Sequence, residues 1–225
     1  WTDGTASEHG GGAFDGDADR CFIVVEKGDA VSPSAICCMI AERYLAQHPG
    51  ATIIHNLITS KAVPELVTEL GGKPVRTRVG HSFIKAQMAE EDAVFGGEHS
   101  AHYYFSDFFN ADSGMIAALH VLATLGAQDK PLSELKQAYS RYEASGEINS
   151  EVADQAGRTA AVVEAFTDET ASTNDLDGVT VELSDGSWFN IRASNTEPLL
   201  RLNVEAPTGE RITEIVDKAL SVIRA

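Results

Sequence analysis

Residues 51–85 read ATIIHNLITSKAVPELVTELGGKPVRTRVGHSFIK, and this stretch decides the fold class. The apolar run ATIIHNLI predicts a strand, and SKAVPELVTELGG predicts a helix that ends in glycine. KPVRTRV then predicts a second strand, and HSFIK opens a second helix. Alternation of strands and helices implies βαβ crossovers, a mostly parallel sheet and helices on both of its faces. In such sheets ligands bind at the carboxyl ends of the strands.

The pattern on either side of this stretch separates two regions. Residues 34–47 predict a helix before it, and AVFGG followed by two helical segments continues the alternation after it. EASGEINS, residues 143–150, then predicts a hinge. Beyond the hinge come one helix, three neighbouring strands, of which the first two form a hairpin, and a last helix over 208–224. The sequence therefore predicts an α/β domain followed by a small α+β domain.

Composition limits the partners of the chain. The chain has 225 residues and a net charge of -17, which argues against nucleic acid or an anionic membrane surface as the main partner. An anionic small ligand stays open, because a few local cations outweigh distant acidic groups. Three cysteines without a C-x-x-C spacing favour the reducing cytoplasm, and no stretch has transmembrane length. Composition leaves the oligomeric state open.

The segment DGDADR places three aspartates, Asp15, Asp17 and Asp19, directly before Arg20. Unpaired carboxylates in one tight loop would repel each other, and a hard divalent cation such as Mg²⁺ or Ca²⁺ resolves that conflict. An EF-hand is excluded, because its sixth position requires glycine and here holds Arg20. The arginine suits a phosphoryl group beside the cation. The alternatives are a solvated acidic turn and a phosphatase-like loop with Asp15 as nucleophile.

Two further motifs carry histidines. In GGEHSAHYYF the residues Glu98, Ser100 and His102 alternate, so an extended segment would point all three the same way, toward the hydroxyls of a sugar. In RVGHSFIK, Gly80 ends a strand and His81 begins a helix, which makes the histidine a candidate for proton transfer. The alternatives are a polar strand end and a structural histidine.

A fourth motif, RASNTEP, joins two apolar strands near the end of the chain. Its arginine, hydroxyl and amide donors suit a phosphate, although Ser and Asn also favour an ordinary hairpin turn. The candidate phosphate ligands are Arg192, Ser194, Asn195 and Thr196.

The ordered motifs DGDADR, GHSFIK, GEHSAH and RASNTEP resemble those of the α-D-phosphohexomutases, in particular the bacterial phosphomannomutase/phosphoglucomutase type. The resemblance implies an α/β/α domain with a mixed sheet, followed by a small α+β domain with an antiparallel sheet. It implies Mg²⁺ as cofactor and a hexose phosphate as substrate. The implied roles are a metal site at Asp15, Asp17 and Asp19, a catalytic Arg20 and His81, sugar contacts from Gly80, Glu98, Ser100 and His102, and a phosphate site at Arg192, Ser194, Asn195 and Thr196.

The family reaction, as the resemblance implies it, moves a phosphoryl group between O1 and O6 of mannose or glucose phosphates. The transfer uses a phosphoserine and a bisphosphorylated intermediate. The chain would hold the tail of the second family domain (residues 1–29), the third (30–144) and the fourth (145–225). The TAS of residues 5–7 lacks the family's following H-N-P, so the donor serine is not assigned here. An isolated piece is expected to turn over poorly, and the alternative function is a non-catalytic sugar-phosphate-binding fragment.

Overall fold

A computed structural model describes residues 10–194 and 197–225. The chain divides into two compact units. The first ends at Arg141, and the second covers Tyr142–Ala225. Within the described ranges, no helix combines the length and the apolar character needed to cross a bilayer.

The first unit contains five helices and seven strands among its described residues. Its helices are Pro33–Gln47 (α1), Ala62–Glu69 (α2), His81–Glu90 (α3), Gly114–Gly126 (α4) and Leu132–Tyr139 (α5). Its strands are Gly11–Phe14 (β1), Cys21–Val24 (β2), Thr52–Asn56 (β3), Lys73–Thr77 (β4), Phe95–Gly97 (β5), Tyr103–Phe105 (β6) and Ala111–Asp112 (β7).

The main sheet of this unit has the strand order β4-β3-β5-β6-β7. Strand β3 pairs in parallel with β4 and β5, whereas β6 and β7 continue the sheet antiparallel. The predicted α/β fold with a mixed sheet is therefore confirmed. The carboxyl ends of β3, β4 and β5 meet at one edge, which is where ligands bind in sheets of this class.

Helices cover both faces of this sheet because successive strand residues point to opposite sides. On one face, Ile54 and Tyr104 pack with the α3 side chains Ile84 and Met88. On the other face, the ring of Tyr44 from α1 lies 5.8 Å from that of Phe95. Aromatic and aliphatic burial on two sides thus holds the sheet edge in place.

The aspartate motif occupies the turn of the β1–β2 hairpin, a separate two-stranded sheet. The first residue of α4 supports this turn, since the amide of Gly114 donates to the carbonyl of Ala18 at 3.1 Å. A Cβ at Gly114 would lie 2.5 Å from the carbonyl oxygen of Arg20. Only a glycine lets the helix approach the loop this closely.

The second unit is a five-stranded antiparallel sheet with the order β8-β12-β11-β10-β9, and α6 and α7 cover one face. Its strands are Glu143–Glu151 (β8), Thr170–Asn174 (β9), Val179–Leu183 (β10), Trp188–Ala193 (β11) and Leu199–Ala206 (β12). Its helices are Gln155–Ala165 (α6) and Gly209–Ile223 (α7). The predicted α+β unit is confirmed, and the sheet is antiparallel as the resemblance implied.

Two strands of this sheet were not predicted. The expected hinge at residues 143–150 is wrong, because these residues belong to strand β8. No strand was predicted where β9 forms. Both are edge strands whose residues are mostly exposed. Edge strands of this kind carry polar side chains and give little of the apolar alternation that marks a strand in sequence.

Two turns in this sheet offer a matched test of close packing. Gly178 and Gly186 both have a positive φ, of 64° and 88°. A Cβ at Gly178 would lie 2.4 Å from the backbone oxygen of Ile191, whereas one at Gly186 would meet nothing within 4 Å. We expect Gly186→Ala to lose about 1 kcal/mol from backbone strain, and Gly178→Ala to lose several times more in urea unfolding. Equal losses in the two variants would contradict this packing.

His55 gives a second test, because it is buried in β3 at 3% exposure. Burial, together with the nearby Arg76, lowers the pKa of His55 to about 4. The folded chain therefore disfavours the proton that the unfolded chain accepts near its ordinary value of 6.5. The free energy of unfolding should therefore be unaffected by His55 above pH 6.5. Between pH 6.5 and 4 it should fall progressively, by up to about 3 kcal/mol, because only the unfolded chain takes up the proton.

The measurement is the free energy of unfolding against pH for three proteins: the unaltered chain, His55→Asn and His48→Asn. His48 is exposed at the end of α1, so solvent reaches its ring in both states. We expect His55→Asn to flatten the profile between pH 6.5 and 5 and His48→Asn to retain its slope. A retained slope in His55→Asn would assign the acid sensitivity to other groups.

Candidate active site

The aspartate loop is organised by Arg20. The guanidinium Nε donates to Asp15 Oδ2 at 2.6 Å, and the Arg20 backbone amide donates to Asp15 Oδ1 at 3.2 Å. Ala18 adopts a left-handed φ of 60°, which turns the chain so that carboxylate oxygens of Asp15, Asp17 and Asp19 lie within 4.8 Å of one another. The three predicted metal ligands therefore converge on one point.

The carboxylates of this loop differ in their electrostatics. Burial would raise the pKa of Asp15, but the hydrogen bonds from Arg20 outweigh it and lower the pKa to about 2. Burial raises the pKa of Asp19, and the neighbouring Asp15 and Asp17 add to this against the attraction of His102. Asp19 Oδ1 is also buried without a hydrogen-bond partner in the described part of the chain. Clustered oxygen ligands, one of them unsatisfied, fit a hard divalent cation.

Glu98 accepts hydrogen bonds from three separate segments of the first unit. Its Oε1 accepts from the backbone amide of Gly80 at 3.0 Å and from Asn56 Nδ2 at 3.5 Å. Its Oε2 accepts from the Tyr104 hydroxyl at 3.0 Å, and the residue is only 2% exposed. The carboxylate thus fixes the position of Gly80, the residue directly before α3.

The segment that holds Glu98, Ser100 and His102, called the sugar motif here, is not extended as the alternation of these residues suggested. Residues 98–101 form a tight turn in which the Ala101 amide donates to the Glu98 carbonyl at 3.1 Å and Ala101 has a φ of 69°. The turn still gathers the predicted residues, since Ser100 Oγ lies 2.9 Å and Glu98 Oε2 3.6 Å from Nδ1 of His102. Antiparallel pairing of β5 with β6 requires this hairpin, and the alternation of polar residues does not reveal it.

His102 connects the sugar motif to the aspartate loop. Its Nε2 lies 3.6 Å from Asp19 Oδ2, and its ring centroid lies 4.2 Å from that of His81. Burial lowers the pKa of His102, and the neighbouring His81 lowers it further against the pull of nearby carboxylates. A neutral imidazole here can both donate and accept a hydrogen bond.

His81 sits where the sequence predicted, at the first residue of α3 after Gly80, whose φ is 130°. Tyr104 donates its single hydroxyl hydrogen to Glu98, so its oxygen accepts from Nδ1–H of His81 at 2.8 Å. Asp112 Oδ2, 3.4 Å from the same nitrogen, favours the same tautomer. In the neutral ring this tautomer leaves the lone pair of His81 on Nε2.

Two residues of this cluster were missed in the sequence. Tyr104 was hidden because a tyrosine in an apolar strand is ordinarily a core residue. Asp112 was hidden because its neighbour Ser113 caps α4, and a D-S-G sequence is typical of a helix start. Asp112 also holds Lys85 by an ion pair of 3.0 Å. Burial would raise the pKa of Asp112, but its bond to Lys85 prevails and lowers it.

The second unit holds part of the predicted phosphate motif. Arg192 lies on β11 and Ser194 follows that strand, whereas Asn195 and Thr196 lie outside the described residues. The guanidinium of Arg192 donates through Nη2 to Glu147 Oε2 at 2.7 Å. The structure therefore places two of the four residues and adds an acidic partner that the sequence did not indicate.

Family models match both units. Residues 32–142 match the model described as phosphoglucomutase/phosphomannomutase, alpha/beta/alpha domain III. Residues 147–222 match the C-terminal domain of the same family.

Sequence and structure comparisons with individual proteins lead to the same family. The chain is 45% identical over 204 residues to a phosphomannomutase of Salmonella typhimurium, covering 88% of the chain and 44% of that protein. A crystal structure of a phosphoglucomutase/phosphomannomutase family protein from Burkholderia thailandensis superposes with a TM-score of 0.84 at 29% identity, covering 98% of the chain and 48% of that structure.

A more distant structure shares the fold at 14% identity and a TM-score of 0.74, covering 96% of the chain and 52% of that structure. It is an N-acetylphosphoglucosamine mutase of Aspergillus fumigatus in complex with GlcNAc-6P and magnesium. The chain spans about half the length of the relatives it matches.

The relay from Glu98 through Tyr104 to His81 predicts a specific effect of Tyr104→Phe. Removing the hydroxyl should cost about 1–2 kcal/mol, because Glu98 loses a buried donor, and should release the fixed Nδ1–H tautomer of His81. Long-range ¹⁵N–¹H NMR at alkaline pH reads the tautomer directly.

The control is Tyr103→Phe, one residue away on the opposite face, where the hydroxyl donates to the carbonyl of Pro33 at 3.4 Å. This variant should leave the His81 spectrum unchanged. An unaltered His81 spectrum in Tyr104→Phe would rule out the relay.

Proposed function

The chain belongs to the phosphoglucomutase/phosphomannomutase family, and we propose that it supplies the metal, sugar and phosphate sites of a phosphohexomutase. The proposed reaction is phosphoryl transfer between O1 and O6 of a mannose or glucose phosphate, through a bisphosphorylated intermediate. The phosphoserine that donates the phosphoryl group is not assigned to any residue of this chain. The observation that carries the proposal is the contact of the aspartate loop with the sugar motif through Asp19 and His102.

The metal proposal rests on the converging carboxylates. Asp15, Asp17 and Asp19 would hold Mg²⁺ by oxygen ligands alone, and the unsatisfied Asp19 Oδ1 fits this role. A bound Mg²⁺ would supply positive charge to the oxygens of the transferring phosphoryl group. Arg20, held by Asp15 at the same loop, would direct its remaining N–H donors to that group.

The sugar proposal rests on the donors and acceptors at the sheet edge. Ser100 is exposed beside His102, and the two would hydrogen-bond hydroxyls of the substrate. Glu98 keeps spare lone pairs for a hydroxyl, while its present bonds fix the Gly80 backbone. His81, with Nε2 free to accept a proton, would act as the general base or acid at the sugar oxygen.

The phosphate that is not transferred would bind in the second unit, to Arg192, Ser194, Asn195 and Thr196. Arginine offers a fork of donors that matches phosphate oxygens. The three free cysteines are all buried, which fits the further proposal of a cytoplasmic protein.

Metal binding by the chain itself tests the first part of this proposal. We expect Mn²⁺, as a paramagnetic substitute for Mg²⁺, to bind the 225-residue chain and to broaden the NMR signals of the aspartate loop. Asp17→Asn should weaken binding at least tenfold, because it removes one ligand charge. Asp29→Asn, at an exposed aspartate of the same unit, should bind like the unaltered chain. Equal affinity in Asp17→Asn would reject the metal site.

Catalysis is tested in a protein that joins this chain to a serine-loop domain. Such a protein should interconvert mannose 1-phosphate and mannose 6-phosphate, and Asp17→Asn should lower the rate about 100-fold or more. Hexose phosphate binding without turnover would favour the non-catalytic binding function instead.

A further inference from the structure

Two histidines and an aspartate of the first unit meet on one face of its main sheet. Asp112 on β7 is paired directly opposite Tyr104 on β6, so both side chains leave the same face. His102 precedes Tyr104 by two residues and therefore lies on that face as well. His81 opens α3, the helix whose side chains pack with Tyr104. Strand register and helix packing thus gather three potential metal ligands from three separate segments.

The ligand atoms are close enough to share one ion. One ring nitrogen of His81, one of His102 and one carboxylate oxygen of Asp112 all lie within 4.8 Å of one another. Nδ1 of His81 lies 3.4 Å from Asp112 Oδ2, and the ring centroids of the two histidines are 4.2 Å apart. Two ligands of a tetrahedral Zn²⁺ ion lie about 3.3 Å apart, so small side-chain rotations would complete the site.

The surroundings of the two rings are strongly negative. Among the described residues, three carboxylates lie 3.4–3.6 Å from a nitrogen of these rings: Asp19, Glu98 and Asp112. Lys85 offsets one of them through its ion pair of 3.0 Å with Asp112, and Arg20 approaches Asp19 only to 3.9 Å. The negative charge that remains favours a divalent cation between the rings.

The ligand types separate this cluster from the aspartate loop. The loop offers oxygen ligands alone, which suit Mg²⁺, whereas imidazole nitrogens suit Zn²⁺, Ni²⁺ and Cu²⁺. Two imidazoles and one carboxylate are also the ligand set of some zinc enzymes, which keep a fourth position open to solvent. Solvent reaches the cluster through the half-exposed ring of His81.

We propose that His81, His102 and Asp112 form a second metal site, which binds Zn²⁺ or a similar transition-metal ion separately from the Mg²⁺ site of the aspartate loop. The ion would bind Nδ1 of His81 and Oδ2 of Asp112, the two atoms that now face each other. The ring proton of His81 would then move from Nδ1 to Nε2 through solvent, with no net change in the charge of the ring.

The consequence of this binding rests on the proposed function. That function needs the lone pair on Nε2 of His81 and the hydrogen bonds of His102 to a sugar hydroxyl. An ion held at the cluster would place a proton on the first nitrogen and occupy the second ring. Zn²⁺ would therefore inhibit the proposed mutase even when Mg²⁺ is in excess.

Calorimetry of the 225-residue chain with Zn²⁺, in excess Mg²⁺ to fill the aspartate loop, tests the site. We expect His81→Asn to weaken Zn²⁺ binding about 100-fold and Asp112→Asn about tenfold, because each variant removes a ligand. In the unaltered chain, ¹⁵N NMR should show the ring proton of His81 moving from Nδ1 to Nε2 when Zn²⁺ is added. Thermal melting of each variant reports whether the fold is kept.

Two controls separate this site from other places where Zn²⁺ could bind. His48→Asn removes an exposed histidine elsewhere in the same unit and should leave Zn²⁺ affinity unchanged. Asp17→Asn removes a proposed ligand of the aspartate loop and should also retain Zn²⁺ affinity. A loss of affinity in Asp17→Asn equal to that in His81→Asn would place the ion in the loop and overturn the second site.

The remaining outcomes distinguish the metal site from the function on which its consequence rests. Zn²⁺ binding that is absent, or unchanged in both His81→Asn and Asp112→Asn, would overturn the site. In the protein joined to a serine-loop domain, Zn²⁺ should inhibit turnover, and Asp112→Asn should raise the concentration for half inhibition about tenfold. Turnover unaffected by saturating Zn²⁺ would overturn the inhibition. No turnover without Zn²⁺ would count against the proposed function and leave Zn²⁺ binding as the test of the site.

Discussion

The buried carboxylate of Glu98 is the interaction on which the arrangement of the first unit's site depends. Taking a carboxylate out of water is costly, and Glu98 is tolerated because donors from three different segments meet it: Gly80, Asn56 and Tyr104. Asn56 ends β3, Gly80 precedes the first residue of α3, and Tyr104 lies in the middle of β6. Removing any one would leave a buried charge underpaired, so the site and the sheet edge are held by the same contacts.

The two faces of strand β6 carry tyrosines with different hydrogen-bond partners. Tyr103 and Tyr104 are neighbours, yet one hydroxyl meets the Pro33 carbonyl and the other meets Glu98 and His81. The apolar bodies of both rings stabilise the two layers, while the polar tip of Tyr104 sets the tautomer of a histidine. A core residue thereby acts on a site residue without being exposed to a ligand.

Single ion pairs offset the charge at two places in the molecule. The chain is strongly acidic, and three of its aspartates cluster in one loop. At the aspartate loop, Arg20 neutralises part of the repulsion and keeps Asp15 ionised. In the second unit, the carboxylate of Glu147 neutralises the guanidinium of Arg192. In each case one opposite charge offsets part of the cost of burying a charged side chain.

The helices, most of the strands and the convergence of the aspartates followed from sequence, because helical periodicity, apolar runs and tight spacing are local properties. The mixed and antiparallel sheets were implied by the family resemblance. Proximity of the sugar motif residues was foreseen, but for the wrong reason, since a hairpin and not an extended segment gathers them. The polar edge strands β8 and β9, the Tyr104 relay and the pairing of Arg192 with Glu147 were decided by tertiary structure. Strand β8 pairs with β12, which is distant in the chain, and a local pattern carries no information about which distant strand will lie beside it. Strand β9 pairs with its chain neighbour β10, and Tyr104 meets Glu98 across one hairpin, but neither contact leaves an apolar alternation in the sequence.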